Sequence, residues 1–243
     1  MASEFTYLDI SKMIDHALLA PTLTTSDLEA GVALARAYDV ASVCIMPYAV
    51  KRCAELLSGS TVKTSTTIGF PHGGNMTSTK RTEAEQAIAD GCEELDMVVN
   101  ISKVLSEDWD YVRQDIAAVI ELAHAEQQKV KVIFENCFLQ EEHKIRLCEI
   151  CGELSADWVK TSTGFGTSGA TIEDLVLMRK YSPNHVEVKA AGGIRDYATM
   201  LKVREIGVSR VGASQTKMML DECRSKLGLP AIAVQDRPTS SGY

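Results

Sequence analysis

The sequence predicts an α/β fold: a single (β/α)8 TIM barrel with an N-terminal extension and a short C-terminal tail. Three observations carry this expectation. Short β-rich apolar runs alternate with longer amphipathic stretches, which implies right-handed βαβ crossovers and a parallel sheet. Eight such units fit within about 210 residues, the count of a closed barrel, whereas an open doubly wound sheet usually has fewer strands. No GxGxxG follows an early strand, and no linker, low-complexity block or composition break divides the chain. The 243 residues therefore read as one domain, with the barrel over approximately 10–228 and a flexible polar tail over 229–243.

Taken in order, the predicted strands centre on Ile14, on Val43 in ASVCIM, on Ser65 in VKTSTTIGF and on Asp96 in ELDMVVN. They continue with Ile133 in VKVIFE, Val159 in DWVKTS, Val188 in VEVKAA and Val211 in SRVGAS. Between them SDLEAGVALARAYD, TKRTEAEQAIADG and DWDYVRQDIAAVIELAHAE have the spacing of amphipathic helices. Ser26 followed by Glu29 predicts a capping box at the start of the first of these. The last stretch, PAIAVQDRPTSSGY, is the polar tail.

Composition narrows the partners. A net charge of −8, from 25 basic and 33 acidic residues, counts against a dedicated nucleic-acid or anionic-membrane binder, which needs a basic surface. No apolar stretch approaches the roughly 18 residues of a membrane span. MASEFTYLDI lacks a basic start followed by an apolar block, so no secretory signal is expected. Seven cysteines, an odd number spread along the chain, do not suggest a disulfide framework. The one CxxC, Cys148 and Cys151, falls in a helical stretch without a second CxxC or paired histidines, so both read as reduced thiols. A reducing, cytoplasmic location is expected. His16, His72, His124, His143 and His185 show no metal-ligand spacing, and no metal site is expected.

Strands of a parallel barrel are buried on both faces and should be near-continuous apolar runs. Asp96, Lys131, Glu135, Lys160 and Lys189 break that pattern. A lysine in a buried strand must find a partner or lose its charge. Lys131 is expected to mark a strand end and reach solvent along its stem. Lys160 and Lys189 read differently, because each precedes a glycine-rich turn at the C-terminal mouth of neighbouring strands, where barrel enzymes place their chemistry. Strands about 4.8 Å apart would bring the two ammonium groups close, and like charges depress one pKa. A free lysine is less than about 0.1% neutral at pH 7, and each unit of lowering raises that fraction about tenfold. Two such lysines with a carboxylate make a Schiff-base site. Gly164, Gly192, Gly193 and Gly212 follow in the turns, where backbone N–H groups cradle an anion, and Arg195 adds charge-assisted bonds. Loops after strands seven and eight often form a phosphate site; Ser214 reads there as a phosphate ligand, a helix N-cap or both.

IDHALL, SVCIMP, TTIGFPHG, ELDMVVN, WVKTSTGFG, VKAAGGIR and RVGAS, in this order, resemble the deoxyribose-phosphate aldolases, a class I aldolase family on a (β/α)8 barrel. The resemblance spans essentially residues 10–225 and is most specific in VKTSTGF paired with VKAAGGIR. It implies Lys160 as the Schiff-base nucleophile, Lys189 as the lysine that perturbs it, and Asp96 as acid/base partner. Asp15, Cys44 and the neighbourhood of position 17 would line the aldehyde side. Gly164, Gly192, Gly193, Arg195, Gly212 and Ser214 fall on phosphate-binding positions, and Tyr243, the last residue, on a tyrosine that reaches back as a proton relay. Two positions depart from the pattern: Ala17 stands where threonine is frequent, and Gln215 where some members carry a second serine. The implied reaction is reversible cleavage of 2-deoxy-D-ribose 5-phosphate to acetaldehyde and D-glyceraldehyde 3-phosphate, with no cofactor. Partners would be that phosphorylated sugar and the aldehydes, the assembly a monomer or homodimer. The alternatives are a Schiff-base aldolase with a shifted aldehyde range and a non-catalytic sugar-phosphate-binding barrel.

Overall fold

A computed structural model describes residues 5–234. A short helix, α1 (Tyr7–Ser11), precedes β1 (Ile14–Leu18), α2 (Thr25–Ala37), β2 (Ser42–Ile45) and α3 (Val50–Leu57). Next come β3 (Lys63–Ile68), α4 (Thr77–Ala89), β4 (Glu94–Val98), α5 (Ile101–Leu105) and α6 (Trp109–Ala125). The chain continues through β5 (Lys129–Ile133), α7 (Glu141–Glu153), β6 (Trp158–Lys160) and α8 (Ile172–Tyr181). It finishes with β7 (Glu187–Ala191), α9 (Tyr197–Glu205), β8 (Arg210–Ala213) and α10 (Thr216–Lys226). Each strand pairs in parallel with the next and β8 returns to β1, closing an eight-stranded barrel.

The strands are not the uniformly apolar runs expected of a parallel sheet. Alternate residues, among them Ile14, Val43, Leu95, Met97, Val132, Val159, Val188 and Val211, join the apolar core with the helices. The residues between them, Asp15, Glu94, Asp96, Lys131, Lys160, Lys189 and Arg210, meet one another on the opposite face, inside the barrel. A period of two on a pleated strand puts these sets on opposite faces. The interior therefore holds charge while the outer layer supplies the apolar burial.

Two local expectations shift. The capping box of α2 is built by Thr24 and Asp27, not Ser26 and Glu29: Thr24 Oγ1 accepts from the Asp27 N–H while Asp27 accepts from the Thr24 N–H at 2.9 Å. TLTTSDLE contains two overlapping pairs of this spacing, and the helix starts from the earlier one. The fifth strand is centred on Lys131, not Ile133, because Glu135 takes a left-handed φ of 57° and turns the chain out of the strand. Cys148 and Cys151 lie buried in α7 as free thiols, and burial pushes Cys148 up to about 12.

The helix α1 packs against α10. Its Tyr7 hydroxyl donates to the Tyr38 carbonyl oxygen at 2.8 Å. Within the expected tail, Ile232 and Val234 pack, partly buried, against the core, and Arg224 Nε donates to the Pro230 carbonyl oxygen at 2.9 Å.

Candidate active site

Parallel pairing of β6 with β7 sets Lys160 opposite Lys189. Both ammonium nitrogens lie 2.7 Å from one atom, Oδ2 of Asp96, carried by β4 across the barrel. Lys189 also reaches Asp15 Oδ2 at 2.6 Å, so its charge is held by two carboxylates where Lys160 has one. All four side chains are buried.

That asymmetry sorts the two lysines. Burial drives Lys160 down; Asp96 opposes this, and Lys189 lowers it further, leaving its pKa below that of an ordinary lysine. Burial would lower Lys189 too, but Asp15 and Asp96 outweigh it and raise its pKa. The Asp96 carboxyl, which burial alone would raise, is held well below the usual carboxylate range by Lys131, Lys160 and Lys189. The result is an amine with an accessible neutral form beside an ammonium and a carboxylate that keep their charges. A neutral Lys160 can still donate one N–H to Asp96 while offering its lone pair to a ligand.

Lys131 does not reach solvent as expected. It is fully buried, with Nζ 2.6 Å from Glu94, 2.9 Å from Asp96 and 3.1 Å from Asp15. Its charge persists because those acids surround it. Burial would neutralise the amine, yet the carboxylates hold its pKa well above the ordinary value.

A cavity opens above the lysines, lined by Lys160, Lys189, Asp15, Ala17 and Cys44 at its base. Gly164, Gly192, Gly193, Arg195, Gly212 and Ser214 line it as well, so every described substrate-side residue expected from the sequence borders one space. Asp96 stands behind the lysines. Gly192 and Gly193 have φ of 77° and 89°, which a side chain would strain. At Gly212 a Cβ would come within 3.3 Å of Ala191 Cβ, a tight approach, and 3.6 Å of Lys189 Cε, an ordinary contact. Ser214 is exposed at the rim and is not the helix cap; that position belongs to Gln215, whose side chain makes no capping bond. The first turn of α10 thus begins at the cavity without a side-chain cap. Burial pushes the Cys44 thiol up, so it lines the base as a neutral side chain.

A family model described as DeoC/LacD family aldolase matches residues 10–216. The chain belongs to this family. It is 65% identical over 241 residues to the deoxyribose-phosphate aldolase of Rhodopirellula baltica, covering 99% of this chain and 100% of the relative. It is 46% identical to the deoxyribose-phosphate aldolase of Thermococcus gammatolerans, covering 90% of this chain and 98% of that one. Among solved structures, the aldolase QR15 superposes with a TM-score of 0.85 at 36% identity, over 90% of this chain and 97% of that chain. The deoxyribose phosphate aldolase of Aeropyrum pernix, described as tetrameric, superposes with a TM-score of 0.84 at 28% identity, over 91% and 93% of the two chains.

Within this DeoC/LacD family barrel, two charged site residues went unmarked in the sequence. Glu94 and Arg210 complete the interior charges: Arg210 Nη1 and Nη2 each lie 2.9 Å from a Glu94 oxygen, and Nη1 is 2.6 Å from Asp15 Oδ1. The signal was phase, since Glu94 stands two residues before Asp96 and Arg210 two before Gly212, which puts each pair on one strand face. Glu135 braces the TSTGFG turn, accepting the Thr163 N–H at 3.2 Å and the Thr163 hydroxyl. Thr163 in turn accepts the Phe165 N–H at 2.9 Å. Tyr243 lies outside the described residues. Among the described residues no group of three or more His, Cys, Asp and Glu side chains is placed to hold a metal ion, and no helix is long and apolar enough to cross a membrane.

Proposed function

We propose that this DeoC/LacD family chain is a class I deoxyribose-phosphate aldolase, reversibly cleaving 2-deoxy-D-ribose 5-phosphate to acetaldehyde and D-glyceraldehyde 3-phosphate through a Schiff base on Lys160. The observation that carries the reading is the convergence of Lys160 and Lys189 on one oxygen of Asp96 beneath a glycine-rimmed cavity. The names of the relatives agree with it.

In the cleavage direction, the neutral Lys160 amine attacks C1 of the open-chain sugar, and the carbinolamine loses water to give an iminium. A base takes the proton from the C3 hydroxyl. The C3–O electrons form the carbonyl of D-glyceraldehyde 3-phosphate, the C2–C3 bond breaks, and its pair moves into the iminium to leave an enamine. Protonation at C2 and addition of water release acetaldehyde and return Lys160 to its amine. Asp96 and Lys189 are the proton carriers in this scheme, because they flank Lys160 and hold opposite charges. The amides of Gly164, Gly192, Gly193 and Gly212, the first turn of α10, Ser214 and Arg195 receive the phosphate. Asp15, Ala17 and Cys44 face the aldehyde carbons. Tyr243 serves as a proton relay in this scheme, a cytoplasmic location fits the free thiols, and a monomer or homodimer is the proposed assembly.

Borohydride reduction in the presence of acetaldehyde, followed by peptide mapping, tests the assignment. An ethyl adduct on Lys160 is expected; no adduct, or one confined to Lys189, overturns it. Comparing turnover of deoxyribose with deoxyribose 5-phosphate tests the substrate. A strong preference for the phosphate ester is expected, and equal turnover would move the reading toward unphosphorylated aldehydes.

A further inference from the structure

The charges inside the barrel form a closed set that extends well below the reacting amine. The bases are Lys131, Lys160, Lys189 and Arg210; the acids are Asp15, Glu94 and Asp96. Arg210, the most open of them, is 14% exposed. Four bases therefore face three acids with side chains almost entirely out of contact with water. An ion without a partner in such a volume loses its charge or destabilises the fold.

We propose that this excess of one base over the acids keeps Lys160 neutral, so that Glu94 and Arg210, on the far side of the network from the cavity, set the reactivity of the amine. Arg210 does not release its proton under physiological conditions. Lys131 is held by Asp15, Glu94 and Asp96, and Lys189 by Asp15 and Asp96. Lys160 has only an oxygen of Asp96 that it shares with Lys189, so it is the base that gives up its proton. Its lowered pKa agrees. Within this set Lys189 acts as one cation among several, and Glu94 and Arg210 are positioning residues that touch no substrate.

Among the described residues a further carboxylate, Glu135, is buried just past β5, but it accepts from the Thr163 N–H and hydroxyl and pairs with none of these four bases. Cys44 on β2 and Cys92 ahead of β4 are buried thiols pushed up by burial, and therefore neutral. The interior of β3 adjoining Asp96 offers the Ser65 hydroxyl. His16 on β1 is pushed down to about 4 by burial, is neutral, and bonds Thr216 through Nδ1 at 2.8 Å. Lys129 and Glu187 lie past Trp158 and are exposed to water.

The inference deepens the Schiff-base reading and rests on Lys160 being the reacting amine. Charge-compensating variants test it. Arg210→Met leaves three bases for three acids and should raise the Lys160 pKa, cutting its neutral fraction at pH 7 by about tenfold or more. Glu94→Gln leaves four bases for two acids and should move the pKa the other way. Arg210→Met with Glu94→Gln restores one base in excess and should bring the pKa back to the wild-type value. The readout is the pH dependence of Lys160 acylation by acetic anhydride, followed by peptide mapping, beside the pH profile of kcat/KM. Acylation reports the amine without turnover, so it stands even if borohydride trapping shows that Lys160 is not the nucleophile. Lys160 titrations that coincide in the single variants and the wild type overturn the proposal, as does a double variant still displaced. If Arg210→Met does not fold, Glu94→Gln alone decides: it keeps every base in place, and an unmoved titration is sufficient to reject the idea.

Discussion

Lys160 and Lys189 are chemically identical side chains opposite each other on adjacent strands, and only their carboxylate partners tell them apart. Because burial and Lys189 lower the folded pKa of Lys160, folding favours its neutral form, and the protonated amine costs stability as pH falls below its unfolded value. Lys160→Met should therefore lose activity by about 10⁴-fold or more while the melting temperature stays level or rises, measured by calorimetry at pH 7. Asp96 keeps Lys131 and Lys189 in that variant. Lys189→Met should lower kcat and move the acid limb of the pH–rate profile upward, since Lys160 then becomes the sole ammonium on Asp96 Oδ2. A profile lowered without displacement would deny Lys189 its influence on Lys160. The sequence exposed these two lysines because each sits in an apolar run before a glycine turn. It misplaced Lys131, whose ion-pair partners Asp15 and Glu94 are far from it in the chain and invisible to any local pattern.

The short elements and turns decide how accurately those side chains are held. β8 contributes Gly212 beside Lys189, and a methyl there would press on Ala191, the residue two after Lys189 on β7. Gly212→Ala should lower kcat/KM by about 10- to 100-fold through misplacement, with the Lys160 titration little changed. The turn after β6 depends on Glu135, which follows β5 and is itself in the left-handed region. Glu135→Gln should loosen Thr163 by roughly 1–3 kcal/mol and raise KM for the phosphorylated sugar about tenfold, leaving the pH profile in place. Strand order and spacing were legible because apolar runs recur with helical stretches between them. The early end of β5 was not, since VKVIFE reads as continuous strand and only the backbone turn at Glu135 interrupts it. The start of α2 slipped by two residues for a related reason: overlapping Thr24–Asp27 and Ser26–Glu29 pairs satisfy the same local rule.

Across the whole molecule, the barrel separates two kinds of cohesion, with apolar packing outside the sheet and ion pairing within it. The inner part should fail first in acid. Asp15, Glu94 and Asp96 have folded pKa values below their unfolded ones, because Lys131 with Lys189, Arg210 or Lys160 outweighs the burial that would raise them. Their contribution is fully present above about pH 5 and is lost as pH falls through the folded values, and the melting temperature should drop steeply below about pH 4. Glu94→Gln should flatten that acid limb. Trp158 gives this transition an optical signal. Its ring lies at the start of β6, with the Arg210 guanidinium 4.8 Å and Lys131 Nζ 5.7 Å from its centroid, and its indole N–H donates to Ser209 at 2.9 Å. The other of the two tryptophans, Trp109, is remote on α6. In a Trp109→Phe background the remaining indole should emit toward the blue at neutral pH. Its emission should shift to the red as the surrounding cations lose their counterions, reporting the state of the charge network without substrate or label.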